Sequence, residues 1–167
     1  MEPGRTSAEN LEIRLAVASD VAAIVRIVNL AYQVEAFFIE GERTDAAEIG
    51  RLLARGAFLV AERHGAMVGS VFVEDRGDHG YIGLVSVEPA LQSAGIGRVL
   101  MDAAERRCSD AGHPRVELLV VDLRSELPPW YRRLGYRVVA TRPFPAGAPI
   151  RRPCAFLVMS KRLGPVR

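Results

Sequence analysis

From Tyr81 to Val121 the sequence runs apolar strand, glycine-containing loop, amphipathic helix and second apolar strand, and that succession leaves few folds open. Tyr81–Val87 is a short apolar run. Pro89–Gly97 is a loop whose last part reads Gln92-Ser93-Ala94-Gly95-Ile96-Gly97, followed by Arg98. From Gly95 or Ile96 onward, Ile96, Val99, Leu100, Ala103, Arg107 (by its aliphatic stem) and Ala111 recur at helical spacing, and Gly112 closes the run. Val116–Val121 (VELLVV) is nearly continuously apolar, as a strand covered on both faces is. Strand, helix and strand over this length make a βαβ unit, so the two strands are expected to lie parallel with a right-handed crossover.

The flanking segments read as a sheet around that unit. Leu11–Val17 alternates apolar and polar, the period of a half-buried strand. Ser19 offers an N-cap and Asp20 a favourable charge to a helix carrying Val21, Ile24, Val25, Val28, Ala31 and Tyr32 on one face. Glu35–Thr44 breaks the period and reads as an irregular connection; Asp45–Arg55 is a second helix, with Gly56 expected as its left-handed cap. Ala57–Arg63 and Met67–Glu74, joined through His64-Gly65-Ala66, predict a hairpin, and the polar turn Asp75–Gly80 leads into Tyr81–Val87. Ser125–Leu134 is a short helix whose Pro128 and Pro129 fit only its first turn, and Gly135 ends it. Tyr136–Thr141 and Ala155–Lys161 are the last strands. The expected fold is α/β (α+β): a mixed, mostly antiparallel central sheet with helices on both faces and one parallel βαβ unit. Residues 1–10 are expected to be a disordered lead-in and 11–163 a single domain.

Composition narrows the function classes. Lys and Arg number 22 against 20 Asp and Glu, so a net charge of +2 is too small to hold a nucleic acid by counterion release. No apolar stretch approaches the ~18–20 residues that span a bilayer, and MEPGRTSAEN lacks the apolar core of a secretory signal. Cys108 and Cys154 make neither a disulfide framework nor a metal cluster and are expected to be small packed residues; His64, His79 and His113 have no ligand spacing, so no metal is expected. A soluble, cytoplasmic enzyme or small-molecule binder is the expectation.

The loop before the long helix carries the chemistry. Two glycines one residue apart at a helix N-terminus let the backbone approach an anion, where unpartnered N–H groups and the helix dipole favour negative charge. Gly97 is followed by Arg98-Val99 rather than Lys-Ser/Thr, which excludes a Walker A loop, and Leu100 stands where a dinucleotide fingerprint needs its third glycine. Spacing alone leaves a pyrophosphate loop and a simple tight turn both open.

Gln92-x-x-Gly95-x-Gly97, after a strand ending Val85-Ser86-Val87-Glu88-Pro89, resembles the acetyl-CoA signature of the GNAT N-acyltransferase superfamily. Trp130-Tyr131-Arg132-Arg133-Leu134-Gly135-Tyr136 resembles that superfamily's second landmark, a tyrosine four residues before a glycine–aromatic pair. The element order matches along essentially the whole chain after residue 10. The resemblance implies that backbone N–H groups of Gln92, Ser93, Ala94, Gly95, Ile96, Gly97 and Arg98 hold the pyrophosphate of acetyl-CoA. Val85 and Val87 would pair through their backbones with its pantetheine arm, like an added strand. Tyr131 would protonate the leaving thiolate, a role a phenol of pKa ≈ 10 suits chemically, although a helical tyrosine beside Trp130 also reads as ordinary core. The sequence departs from the family in two places: Arg124 stands where an asparagine often contacts the cofactor, and Leu127 where an alanine is usual. Arg124 is expected to replace that contact with its longer guanidinium or to lose it.

The acceptor side is less patterned. Attack on a thioester needs an unprotonated amine and hence a base, yet Tyr81–Val87 holds no Asp, Glu or His. Glu35, Glu40 and Glu42 lie in the connection that walls the acceptor site in the family. Glu35 or Glu40 is expected to hold or deprotonate the acceptor, with Phe37 and Phe38 as an apolar wall, or else all are solvated charges beside packed phenylalanines. Glu117 is a further acid to consider, and Arg43, Arg151 and Arg152 either clamp an acceptor anion or are surface charge. The expectation is an acetyltransferase acting on a primary amine of a small molecule or peptide, without nucleic acid, membrane or metal. A non-catalytic acyl-CoA sensor is the alternative. A homodimer through Ala155–Lys161 as an edge strand is also open.

Overall fold

The computed structural model describes residues 10–164, so the lead-in expected over 1–10 falls, but for Asn10, outside the described residues. Strands β1 (Leu11–Leu15), β2 (Ala57–Arg63), β3 (Ala66–Asp75) and β4 (Gly80–Val87) are successive antiparallel neighbours. β5 (Arg115–Val121) lies parallel to β4, while β7 (Ala155–Arg162) and β6 (Arg137–Pro143) complete a seven-stranded sheet ordered β1-β2-β3-β4-β5-β7-β6. Helices α1 (Val21–Ala31) and α2 (Ala46–Arg55) cover one face, burying Ile24, Ile27, Val28 and Ile49 against Phe58, Val60 and Phe72. Helices α3 (Ile96–Asp110) and α4 (Leu127–Arg133) lie on the other, over a core that includes Val71, Ile82, Val116, Val120 and Met159. The mixed sheet and its parallel βαβ unit are those the sequence predicts.

Local chemistry explains the boundaries. His64 and Gly65 both take positive φ (53° and 77°), the mirror-image turn whose twist suits a two-residue hairpin. Asp45 caps α2 by accepting the Glu48 N–H at 2.8 Å. Gly56, expected as a left-handed cap, is extended instead; a Cβ there would sit 2.4 Å from the Val73 carbonyl oxygen, so close approach to β3 is what demands glycine.

Four further expectations change. α3 rests on the sheet through Ile96, Leu100, Ala104 and Cys108, four residues apart, with Met101 beside them. Arg107 and Ala111 are exposed, because the buried stripe is rotated toward the sheet's small residues: a Cβ on Gly80 would meet Cys108 Sγ at 2.5 Å. Leu15, at the end of the edge strand β1, and Val17, just beyond it, are exposed although they continue the alternation. β7 is not an edge. It pairs with β5 and β6 along its length, so the homodimer reading through Ala155–Lys161 has no open strand to use.

Ser19 does not cap α1. A 3-10 turn over Ala18–Asp20 precedes it, and the Asp20 carboxylate accepts the Val17 N–H at 2.7 Å and both Arg14 terminal nitrogens at 2.8 and 2.9 Å, while Arg14 also reaches Glu62 at 2.6 Å. Hydrogen bonding from Arg14 holds the Asp20 carboxyl at about 2, below its ordinary 3.8. A depressed folded value stabilises above the unfolded value and is lost as pH falls through the folded one. Asp20→Ala is therefore expected to cost about 1–3 kcal/mol at neutral pH. Urea melts read this: the gap to the unmodified chain closes as pH drops toward 2, and a gap equal at both pH values would contradict the ion pair's role.

Candidate active site

The site begins with a break in the sheet. β4 and β5 pair at only two positions, Gly80 with Val116 and Tyr81 with Glu117. Beyond them β4 bulges: Ser70 pairs with Ser86 but Phe72 with Gly83, which leaves one extra residue on β4, and Leu84 takes φ 51°. The strands diverge from there, and the edge of β4 that faces β5 carries no ladder through Val85 and Val87.

Two cavities meet at this opening. One, about 530 Å³, is lined by Val85, Val87, Gln92, Ser93, Gly95, Ile96, Gly97, Arg98, Arg124, Trp130 and Tyr131, so most of the residues singled out for the donor come together. The other, about 460 Å³, holds Glu35, Glu40, Glu42 and Arg43 together with Tyr81, Leu84, Leu119, Val121, Phe144 and Phe156. Tyr32, Leu127 and Tyr131 line both. A larger concavity of 880 Å³ lies elsewhere, between α3 and the β2–β3 end of the sheet, lined by residues such as Arg55, Asp102 and Arg107 with no part of the β4–β5 opening.

The loop geometry suits an anion. Ser93 and Gly95 both have positive φ (73° and 84°), which folds successive amides toward one side. Gly95 is the N-cap and has no side chain to satisfy the first turn, so the amides of Gly95, Ile96, Gly97 and Arg98 stand ahead of the first helical bond, from Val99 N–H to the Gly95 oxygen at 3.2 Å. Gln92 and Ala94 differ: their N–H groups turn back to the carbonyls of Pro89 and Leu91, at 3.4 and 3.3 Å. Ala94 packs against the core and does not line the cavity. Gly97 lies under Trp130, whose ring would be 3.3 Å from an added Cβ.

Tyr131 sits at the junction, 7% exposed, with Trp130 edge-on at 4.8 Å and Tyr136 at 5.8 Å. Burial pushes its phenol well above its ordinary value, so it holds its proton at neutral pH. Across the junction Arg124 bridges two acids: Nη1 donates to Glu35 at 3.1 Å and Nε to Glu126 at 2.6 Å. Arg124 lines the 530 Å³ cavity and Glu35 the 460 Å³ cavity, and the pair ties one to the other. Burial raises the Glu35 carboxyl above 4.5, with Arg124 opposing.

The remaining acceptor-side expectations separate. Glu40 is exposed at the cavity rim, 3.6 Å from Arg151. Phe37 and Phe38 line neither cavity: the 3-10 turn Tyr32–Phe37 sends Phe38 fully into the interior and leaves Phe37 43% exposed beneath Arg152. Ala36 and Ile39 take their place in the wall. Glu117 stands at the closed end of the β4–β5 pair, bound to Arg115 at 3.0 Å, and Glu88 pairs with Arg26 at 3.3 Å. Neither reaches the opening. Tyr32, Tyr81, Phe144 and Phe156 were not anticipated as site residues, since each reads in sequence as ordinary core or loop.

A family model for the acetyltransferase (GNAT) domain matches residues 54–138, from the end of α2 through the loop, α3, β5 and α4. The chain belongs to the GNAT acetyltransferase family. With membership comes the family's general activity, acyl transfer. Solved GNAT structures share the fold. The ribosomal-protein-S18-alanine N-acetyltransferase of Escherichia coli superposes with a TM-score of 0.75 at 16% identity, over 94% of this chain and 96% of that one. Ard1 from Thermoplasma volcanium gives 0.76 at 22% identity, over 93% and 99%. A phosphinothricin acetyltransferase from Sinorhizobium meliloti, solved in complex with AcCoA, gives 0.74 at 19% identity, over 93% and 89%. At these identities the likeness extends to the fold alone.

Proposed function

We propose that this GNAT domain moves an acetyl group from acetyl-CoA to a primary amine by direct attack in a ternary complex. One observation carries the proposal: Tyr131 lines both cavities at the point where the sheet opens. A donor lying against Val85 and Val87, with its diphosphate at the amides of Ser93 and Gly95–Arg98, brings its thioester to that opening. The amine nitrogen in the other cavity forms a bond to the acetyl carbon, the carbon–sulfur bond breaks, and the thiolate takes the Tyr131 proton. Glu35 takes the proton that the amine sheds, and exchange with solvent resets both groups. The products are the acetylated amine, coenzyme A thiol and one proton per ammonium consumed. Arg124 keeps the Glu35 carboxylate oriented at the junction, so that the guanidinium replaces the expected asparagine as a tie between the two substrates.

Glu35→Gln is expected to lower kcat by about 10²-fold, as loss of a general base does. Because burial raises Glu35, the acid limb of the rate profile is expected above 4.5 and is absent in the variant. Thiol release followed from about pH 5 to pH 9 reads both effects. An unchanged profile removes Glu35 from the reaction. The pairing of Glu35 with Arg124 also favours a second reading, a non-catalytic acyl-CoA module in which both acids at the junction, Glu35 and Glu126, are neutralised by Arg124. That module binds acetyl-CoA saturably, and none of the amines tested makes it release thiol.

A further inference from the structure

The acceptor cavity is strapped along one side, walled by aromatic rings and lined by three acids. A strap seals one side: the Glu40 N–H donates to the Pro149 oxygen at 2.9 Å, the Arg151 N–H to the Phe38 oxygen at 2.6 Å, and Ile39 bridges Ile150 between them. These bonds join the α1–α2 connection to the β6–β7 loop, and the fully buried Phe38 anchors them. Beneath the strap, Tyr32, Tyr81, Leu119, Val121 and the stacked pair Phe144–Phe156, 4.8 Å apart at 27°, form the walls. A space of about 460 Å³, open to solvent along the Glu40–Arg43 rim, suits a ligand of one ring and a short arm, and the strap of main-chain bonds narrows the approach of a folded protein from its side.

Charge narrows the head group. Glu35, Glu40 and Glu42 line the cavity against a single lining cation, Arg43. Arg43 is already occupied, 3.7 Å from Glu48 and stacked over the Tyr32 ring at 5.4 Å. Arg124, at the junction, is held by Glu35 and Glu126. Glu35 is likewise paired with Arg124 and Glu40 with Arg151, so Glu42 is the lining acid that meets an ammonium without a competing ion pair among the described residues. A carboxylate beside it meets a lining cation already paired with Glu48.

We infer that the acceptor is an arylalkyl monoamine: a primary amine on a short saturated arm, carrying one aromatic ring and no carboxylate. This rests on the acetyl-transfer reading above for the chemistry and on the cavity for the class. Acetylation of such an amine makes an N-arylalkyl acetamide, neutral and apolar, which loses its attraction to the acidic lining and leaves.

Four probes test it on the intact chain with acetyl-CoA: 2-phenylethylamine, L-phenylalanine, spermidine and an octapeptide with a free N-terminus. The kcat/KM for thiol release with 2-phenylethylamine is expected to exceed that of each other probe by at least about 10-fold, the size of one well-placed charge or ring contact. Equal or better turnover of L-phenylalanine, spermidine or the peptide overturns the assignment. Glu42→Arg is expected to raise KM for 2-phenylethylamine by about 10-fold and to shrink its advantage over L-phenylalanine. An unchanged ratio counts against the charge argument. Calorimetric titration of 2-phenylethylamine into the protein–coenzyme A complex separates the two readings. Saturable binding without thiol release keeps the ligand class and refutes transfer; thiol release from another probe without 2-phenylethylamine binding keeps transfer and refutes the class.

Discussion

Tyr131→Phe is expected to slow thiol release by about 10²–10³-fold while leaving acetyl-CoA affinity within about twofold, the pattern of a group that acts only as the thiolate departs. The change removes one oxygen from a ring that is 7% exposed and edge-packed on Trp130 and Tyr136. Phenylalanine fills the same space, so the fold and the shared wall of the two cavities persist. What disappears is the Tyr131 phenolic proton at the opening, while the other phenol that lines both cavities, Tyr32, is left in place. Burial holds that phenol protonated across the neutral range, so its rate contribution does not titrate there and the defect is the same throughout. Rate measurements at saturating acetyl-CoA, with the dissociation constant measured separately, divide the effect. Full turnover in the variant leaves Tyr131 as packing alone.

Gly97→Val attacks the donor instead. An added Cβ at this position lies 3.3 Å from the Trp130 ring and 3.8 Å from Val87, and valine's two methyl groups extend from it. Trp130, whose ring packs edge-on to Tyr131 at 4.8 Å, must then give way. The first-turn amides are pushed off their common direction at the same time. Acetyl-CoA affinity is expected to fall by about 30-fold or more, equivalent to losing one or two charge-assisted hydrogen bonds to the diphosphate. Stability is expected to drop by about 1–3 kcal/mol from overpacking. Gly95→Ala separates the two causes: nothing lies within 4 Å of its added Cβ, but φ of 84° disfavours it, so affinity falls while packing is spared. Calorimetry with acetyl-CoA reads both. Unaltered affinity in the two variants places the diphosphate elsewhere.

Much of this fold is legible in the residues because the decisive signals are local. Hairpin glycines, the apolar VELLVV strand and the loop before α3 each specify their structure within a few positions. The errors arise where a distant element decides. Arg107 and Ala111 satisfy the helical period as well as Cys108 does, and only the packing of Gly80 beneath α3 chooses between the stripes. Glu35 reads as one of three loop acids until a 3-10 turn carries it to Arg124, a residue 89 positions along the chain. Phe37 and Phe38 are the obvious apolar wall in sequence, yet the phenylalanines that line the cavity are Phe144, from the β6–β7 loop, and Phe156, at the start of β7. The shape of the loop before α3 is legible because backbone geometry makes it, and glycine spacing records backbone geometry. The acceptor side is built from side chains that meet only in three dimensions.

A crystal structure of the chain grown with acetyl-CoA addresses the whole account at one stroke. The expected density shows the diphosphate within hydrogen-bond range of the Gly95, Ile96, Gly97 and Arg98 amides, the pantetheine arm beside Val85 and Val87, and the thioester sulfur next to the Tyr131 hydroxyl. Acetyl-CoA bound in any other crevice, or a β4–β5 opening that stays closed to it at saturating concentration, contradicts the account.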